Sequence, residues 1–238
     1  MTGLGAAATS SDAGGVARAS AQAGARTVDL ALVLAIDASG SIDDTTWKLQ
    51  MDGYAAAFRH PAVQAALRAA GRSGTIAVTV TEWSGAQSQA QAIAWTLLDS
   101  AEAAQALAAQ LGALGRIVPA GATSVSGAID HAARLLMTAP ARARRMVIDV
   151  SGDGEGRDGR PAADARDQAV ARGIVINGLP IRHYEPWVET WYAENVVAGP
   201  GSFLIVAEEF DSFGEAVRKK LAREIAGREP PREARRVP

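Results

Sequence analysis

The sequence predicts an α/β protein built on a doubly wound sheet of six mostly parallel strands, one of them an antiparallel edge strand, with helices on both faces. Three observations carry this. Near-continuous apolar runs at Val28–Ile36, Met146–Val150 and Ile174–Ile181 have the pattern of strands buried on both faces. Segments with apolar residues at spacings of three and four separate them, and such alternation of strand and helix implies a parallel sheet. Right-handed crossovers then place helices on either side of it.

In chain order, Val28–Ile36 ends at Asp37 as the first strand. A helix follows with Trp47, Met51, Tyr54, Ala55 and Phe58 on one face, and Asp43 and Asp44 in its first turn, where negative charge suits the helix dipole. Ala62–Ala70 continues as helix after a break at Pro61. Thr75–Glu82 and Ala90–Leu98 read as strands around the loop Ser84–Gln89, short enough for an antiparallel hairpin, which makes Ala90–Leu98 the antiparallel edge. Ser100 caps a helix with Ala103, Leu107, Leu111 and Leu114 inward. The loop Gly115–Ala122 leads to a helix carrying Val125, Ile129, Ala132, Ala133 and Leu136, with Thr123 or Ser124 as its cap. After the strand Met146–Val150 come the glycine-rich Ser151–Gly159, a helix at Ala162–Ala171, the strand Ile174–Ile181 and a short helix opened by Pro186. Phe203–Val206 reads as the sixth strand, and Phe210, Phe213, Val217, Leu221 and Ile225 mark the last helix. Residues 1–27, mostly Ala, Gly, Ser and Thr, read as a disordered leader without the basic start and apolar core of a signal peptide. Residues 28–226 form the domain, and the Pro- and Arg-rich residues 227–238 read as a disordered tail.

Composition narrows the function classes. A formal net charge of −2 points to neither nucleic acid nor a membrane surface. No run approaches the roughly 20 apolar residues of a spanning helix. The absence of cysteine excludes disulfides, zinc–thiolate sites and cysteine nucleophiles. Three scattered histidines, His60, His131 and His183, argue against a histidine-rich metal site.

In doubly wound sheets, ligands sit beyond the carboxyl ends of strands, where the strand order reverses. Three loops compete for that position: Asp37-Ala-Ser39-Gly-Ser41 after the first strand, Gly121-Ala-Thr123-Ser-Val before a helix, and Ser151-Gly-Asp153-Gly after the Met146–Val150 strand. Converged, they offer three hydroxyls and two carboxylates. An all-oxygen set suits one divalent cation of the hard kind, Mg²⁺, Mn²⁺ or Ca²⁺, and not zinc or copper.

On these residues the sequence resembles the von Willebrand factor A-type (vWA) domain, a Rossmann-like fold with a metal-ion-dependent adhesion site. Asp37, Ser39 and Ser41 match its Asp-x-Ser-x-Ser motif, Thr123 its threonine and Asp153 its aspartate after the fourth strand. The resemblance covers roughly residues 28–226 and implies strand order 3-2-1-4-5-6. It also implies that Ser39 and Ser41 ligate the metal directly, Thr123 directly or through water, and Asp37 and Asp153 mainly through water. Neutral hydroxyls leave the cation's charge poorly compensated, so the last ligand is an Asp or Glu of a protein or peptide partner. Tyr54-Ala-Ala-Ala-Phe58, Glu82-Trp-Ser84, Ile176-Asn-Gly-Leu-Pro180 and Gly199-Pro-Gly-Ser-Phe203 are similar to a bacterial branch without assigned function. That branch often carries export signals, so the resemblance suggests a periplasmic or secreted location.

Blander readings stand beside this one. Asp, Ser and Gly after a strand are ordinary turn and cap residues, and it is the three loops together that favour a site. Glu155 either reaches the metal or is a solvated loop charge. Gly154-Glu-Gly156-Arg-Asp-Gly159 matches G-x-G-x-x-G, but Asp153, Glu155 and Asp158 would repel a pyrophosphate. Arg142, Arg144 and Arg145 read as a solvated basic edge, and Trp187 and Trp191 as half-buried on one helix face. Two functional alternatives remain: a Mg²⁺-dependent phosphoryl-transfer enzyme with Asp37 as nucleophile, and a metal-free scaffold.

Overall fold

The computed structural model describes residues 26–227. Its five strands are β1 (Thr27–Asp37), β2 (Ile76–Trp83), β3 (Gln89–Leu98), β4 (Arg142–Gly152) and β5 (Ile174–Pro180), in the order β3-β2-β1-β4-β5. β1 pairs in parallel with β2 and β4, β4 in parallel with β5, and β3 antiparallel with β2 as the edge. The helices are α1 (Asp44–Arg59), α2 (Pro61–Arg68), α3 (Ala101–Gly112), α4 (Val125–Met137), α5 (Ala162–Val170), α6 (Val188–Asn195) and α7 (Phe213–Ala226).

Strand alternation divides the core in two. Leu30, Leu32, Leu34 and Ile36 of β1 face α1, α2, α3 and α7, in a layer that includes Tyr54, Phe58, Leu107 and Phe213. Ala31, Val33 and Ala35 face α4, α5 and α6, with Ile129, Ala165 and Tyr192. Side-chain caps fix several helix starts. Asp43 accepts from the Thr46 amide at 2.7 Å, Ser100 from Ala103 at 3.1 Å and Ser124 from Gly127 at 3.3 Å. Gly227 closes α7 in the left-handed conformation, φ 61°.

The expected sixth strand, Phe203–Val206, is not continuous, and the sheet has five strands. The segment does run parallel to β5: the Gly178 amide donates to Phe203 O at 3.1 Å and Ile205 to Gly178 O at 3.1 Å. Ala207 then donates to Pro180 O and Arg182 to Ala207 O, at 3.0 and 2.9 Å. The rung missing between these pairs is the one Pro180 would donate, and proline has no N–H. What remains is two isolated bridges, Gly178–Leu204 and Ile181–Ala207.

Two further expectations are modified. Arg142, Arg144 and Arg145 lie inside β4; Arg144 stands 3.4 Å from the buried Asp29, and Arg145 donates to Glu224 O at 2.9 Å. Arg144 and Arg145 stitch elements together, while Arg142 and Arg144 stay exposed as expected of a basic edge. The helix expected from Pro186 begins at Val188, which leaves Trp187 exposed at its start while Trp191 packs against the core. The expected leader and tail lie outside the described residues, apart from Arg26, Thr27 and Gly227. No described helix is long and apolar enough to cross a membrane.

Candidate functional site

β1 and β4 lie side by side at the point where the strand order reverses, so their carboxyl-end loops meet. Each pair of the three predicted loops is joined by hydrogen bonds. Gly40 donates its amide to Gly121 O at 2.8 Å, linking the first loop to the second. Arg157 and Asp158 donate theirs to Thr123 O at 2.9 and 3.1 Å, linking the third to the second. The Ser41 hydroxyl donates to Asp153 Oδ1 at 2.7 Å, linking the first to the third. Within the first loop, Asp37 Oδ1 accepts from the Ser39 amide at 2.7 Å, and the Ser39 and Ser41 hydroxyls lie 3.3 Å apart.

Depth sorts these residues. Asp37 and Ser39 are fully buried and Asp153 is nearly so. Ser41 is exposed and Thr123 half-buried. Ser41, Thr123, Asp153, Glu155 and Tyr184 line one open depression of about 160 Å³. The structure thus brings Asp37, Ser39, Ser41 and Asp153 together by direct bonds or contact, and puts Thr123 in the wall of the same depression. Glu155 also lines it, while its amide donates to Glu185 at 2.9 Å.

Two carboxylate oxygens here are buried without a hydrogen-bond partner, Asp37 Oδ2 and Asp153 Oδ2. Burial, with the like charge of Asp153 second, pushes the Asp37 carboxyl up to about 7. Burial also raises Asp153, against the hydrogen bond from Ser41. The set holds two acids and three hydroxyls, and the described residues contain no metal-competent group of three or more His, Cys, Asp or Glu side chains. It still fits a hard cation: its donors are all oxygens, two are bare and buried, and each hydroxyl keeps lone pairs while donating.

Sequence reasoning missed the residues that hold this arrangement. Glu82, buried at the carboxyl end of β2, accepts the Ile117 and Val118 amides at 2.8 and 3.1 Å and so anchors the loop before Thr123. Ser84 donates to Pro119 O at 2.9 Å. Glu185 pairs with Arg157 and braces the loop after Asp153. A Cβ at Gly152 would lie 2.7 Å from the Tyr192 hydroxyl, 2.8 Å from Asp37 Oδ2 and 3.1 Å from Trp83, so backbone passes here where no side chain fits. Glu82 and Trp83 stand at a strand end beside β1 and were findable by position. Glu185 and Tyr192 carry no local signal.

The G-x-G-x-x-G stretch is not a phosphate cradle. The amides of Glu155, Arg157, Asp158 and Gly159 donate to Glu185, to Thr123 O twice, and to the Asp158 side chain. Asp158 also accepts from the Ala86 amide at 2.7 Å.

No curated protein matches the chain in sequence. Among solved structures, proximal thread matrix protein 1 from the mussel byssus is 13% identical, with a TM-score of 0.62 over 85% of this chain and 49% of that one. A von Willebrand factor type A protein from Catenulispora acidiphila is 19% identical, with a TM-score of 0.58 over 83% of this chain and 43% of that one. Manganese-loaded TRAP protein of Plasmodium vivax is 18% identical, with a TM-score of 0.53 over 83% and 73%. The chain spans less than half the length of the first two. These likenesses show the vWA fold, with five strands in the continuous sheet. A family model described as "protein of unknown function (DUF1194)" matches residues 27–229, and the chain belongs to that family.

Proposed function

We propose that this chain is a metal-dependent binding module in which Asp37, Ser39, Ser41, Thr123 and Asp153 hold one divalent cation, Mg²⁺, Mn²⁺ or Ca²⁺, that grips an Asp or Glu side chain of a protein partner. The observation that carries it is the pair of buried carboxylates, Asp37 and Asp153, each with one unpartnered oxygen, beside the exposed Ser41 and the half-buried Thr123. Burying two like charges without a counter-ion is unfavourable, and a cation at this place offsets both. Bound there, it would supply an electrophilic coordination position facing solvent. Ser41 and Thr123 line the opening and would position the incoming group; Asp37, reached through the Ser39 amide, would hold the first loop in shape. Structures of the same fold include a zinc-occupied MIDAS motif in the mussel protein and the manganese-loaded TRAP protein.

Phosphoryl transfer through Asp37 fits less well. A nucleophile must be reachable, yet Asp37 is fully buried, one oxygen holds the Ser39 amide and the other lies against Gly152 and Tyr192. The test is calorimetric titration of MnCl₂ into the full chain with and without excess glutamate. Reciprocal coupling requires glutamate to tighten Mn²⁺ binding, and Thr123→Ala to weaken that coupling. Equal Mn²⁺ affinities with and without glutamate would remove the adhesion reading.

A further inference from the structure

Among the described residues four large apolar side chains are exposed, Ile117, Met137, Tyr184 and Trp187. Met137 ends α4, the helix that starts at the site, and so lies at its far end. The other three are on loops at the site's end of the sheet. Ile117 is held by Glu82, which pairs with Ile36 at the end of β1. Tyr184 and Trp187 follow the carboxyl end of β5. Tyr184 is 67% exposed and stands in the wall of the same depression as Ser41, Thr123 and Asp153.

Tyr184 is the one of these three that lines the depression, and an exposed aromatic side chain beside a polar depression offers an interaction surface. The Tyr184 loop is also braced. The His183 ring packs edge-on against Tyr184 and Phe210, with centroids 3.9 and 5.2 Å apart, and Phe210 is buried. Glu185, the next residue, bonds the Glu155 amide and Arg157. An exposed aromatic ring held in place contributes apolar contact area at low entropic cost. The depression, about 160 Å³, is small and open to solvent. One acidic side chain fits it, and the residues flanking that acid must lie on the rim.

The geometry points to a partner segment in which an Asp or Glu is flanked by aliphatic or aromatic residues, the acid entering the depression and a neighbour packing on Tyr184. This rests on the metal-dependent reading of the same site. The probes are two labelled peptides, acetyl-Gly-Gly-Asp-Gly-Gly-amide and acetyl-Gly-Leu-Asp-Phe-Gly-amide, titrated by anisotropy against the Mn²⁺-loaded full chain, with Mn²⁺ binding measured separately by calorimetry. The Leu-Asp-Phe peptide should bind about tenfold more tightly. Tyr184→Ala should remove most of that difference and Tyr184→Phe retain it, with Mn²⁺ affinity kept in both. If Mn²⁺ binds and the two peptides behave alike, or if Tyr184→Ala leaves the difference intact, the proposal is overturned while the metal site stands. If Mn²⁺ does not bind the wild type, the metal reading fails, and the proposal with it.

Discussion

Among the described residues two places bury a pair of acids, and the chain treats them differently. Under α7, Asp149 and Glu224 are almost fully buried, and Lys220, fully buried itself, pairs with both, at 2.7 Å from Glu224 Oε1. Asn177 donates to the same oxygen at 2.9 Å. At the carboxyl end of the sheet, Asp37 and Asp153 are equally buried, each keeps one oxygen without a hydrogen-bond partner, and among the described residues neither makes an ion pair. In the first cluster the counter-ion is covalently part of the chain and belongs to the packing of α7 on the sheet. In the second the chain places no lysine, and Ser41 and Asp153 line a depression that opens to solvent. On the reading proposed above, the difference leaves the second cluster to an exchangeable cation.

The contrast breaks most sharply at Lys220. Lys220→Met strands two buried acids and should cost about 3–5 kcal/mol of stability, read from urea unfolding at neutral pH. A loss below about 1 kcal/mol would show that the cluster holds its acids protonated and has no need of the lysine. Gly152→Ala comes next. Its methyl collides with the Tyr192 hydroxyl and Asp37 Oδ2, so about 1–3 kcal/mol should be lost, together with metal affinity. Retained Mn²⁺ affinity would place the cation away from Asp37.

Asp37→Asn should act in the opposite sense to Lys220→Met. In chelator at pH 8 it removes one of two like buried charges, so stability should hold or rise by up to about 1 kcal/mol. A fall of several kcal/mol would make the loop a structural turn. The pH dependence is the finest of these effects. The Asp37 carboxyl is raised from 3.8 to about 7 in the folded protein. Between those values the folded state keeps a proton that the unfolded chain has released, so its contribution is full below the lower value and is lost as pH rises through the upper one. Metal-free protein should therefore gain stability as pH is lowered from 8 to 5 in this respect, and Asp37→Asn should flatten that slope. A cation competes with the same proton, so Mn²⁺ affinity should drop as pH falls below about 7.

Much of this was legible in the sequence, for reasons that mark the limit of such reading. Apolar runs and helical stripes located the strands and helices because burial imposes their periods. The three polar loops stood out because each interrupts such a run. The sixth strand was overread, since the apolar Phe203–Val206 gives no sign that its neighbour's Pro180 lacks the donor for one rung. Lys220 and Glu224 stand four apart on a helix, the spacing of an ordinary surface pair, yet both are buried. Asp149, a charge inside the apolar run Met146–Val150, was the available clue that something must neutralise it. Glu82, Glu185 and Tyr192 act across long separations in the chain, and no local pattern encodes such contacts.

The central claim is that Asp37 and Asp153 await a cation that the chain does not supply. Calorimetric titration of MnCl₂ into the metal-free full chain at pH 8, beside Asp37→Asn with its fold checked by circular dichroism, tests it directly. One Mn²⁺ per wild-type chain, and none for a folded Asp37→Asn, is the predicted result. No binding by the wild type, or the same affinity in both proteins, would contradict it.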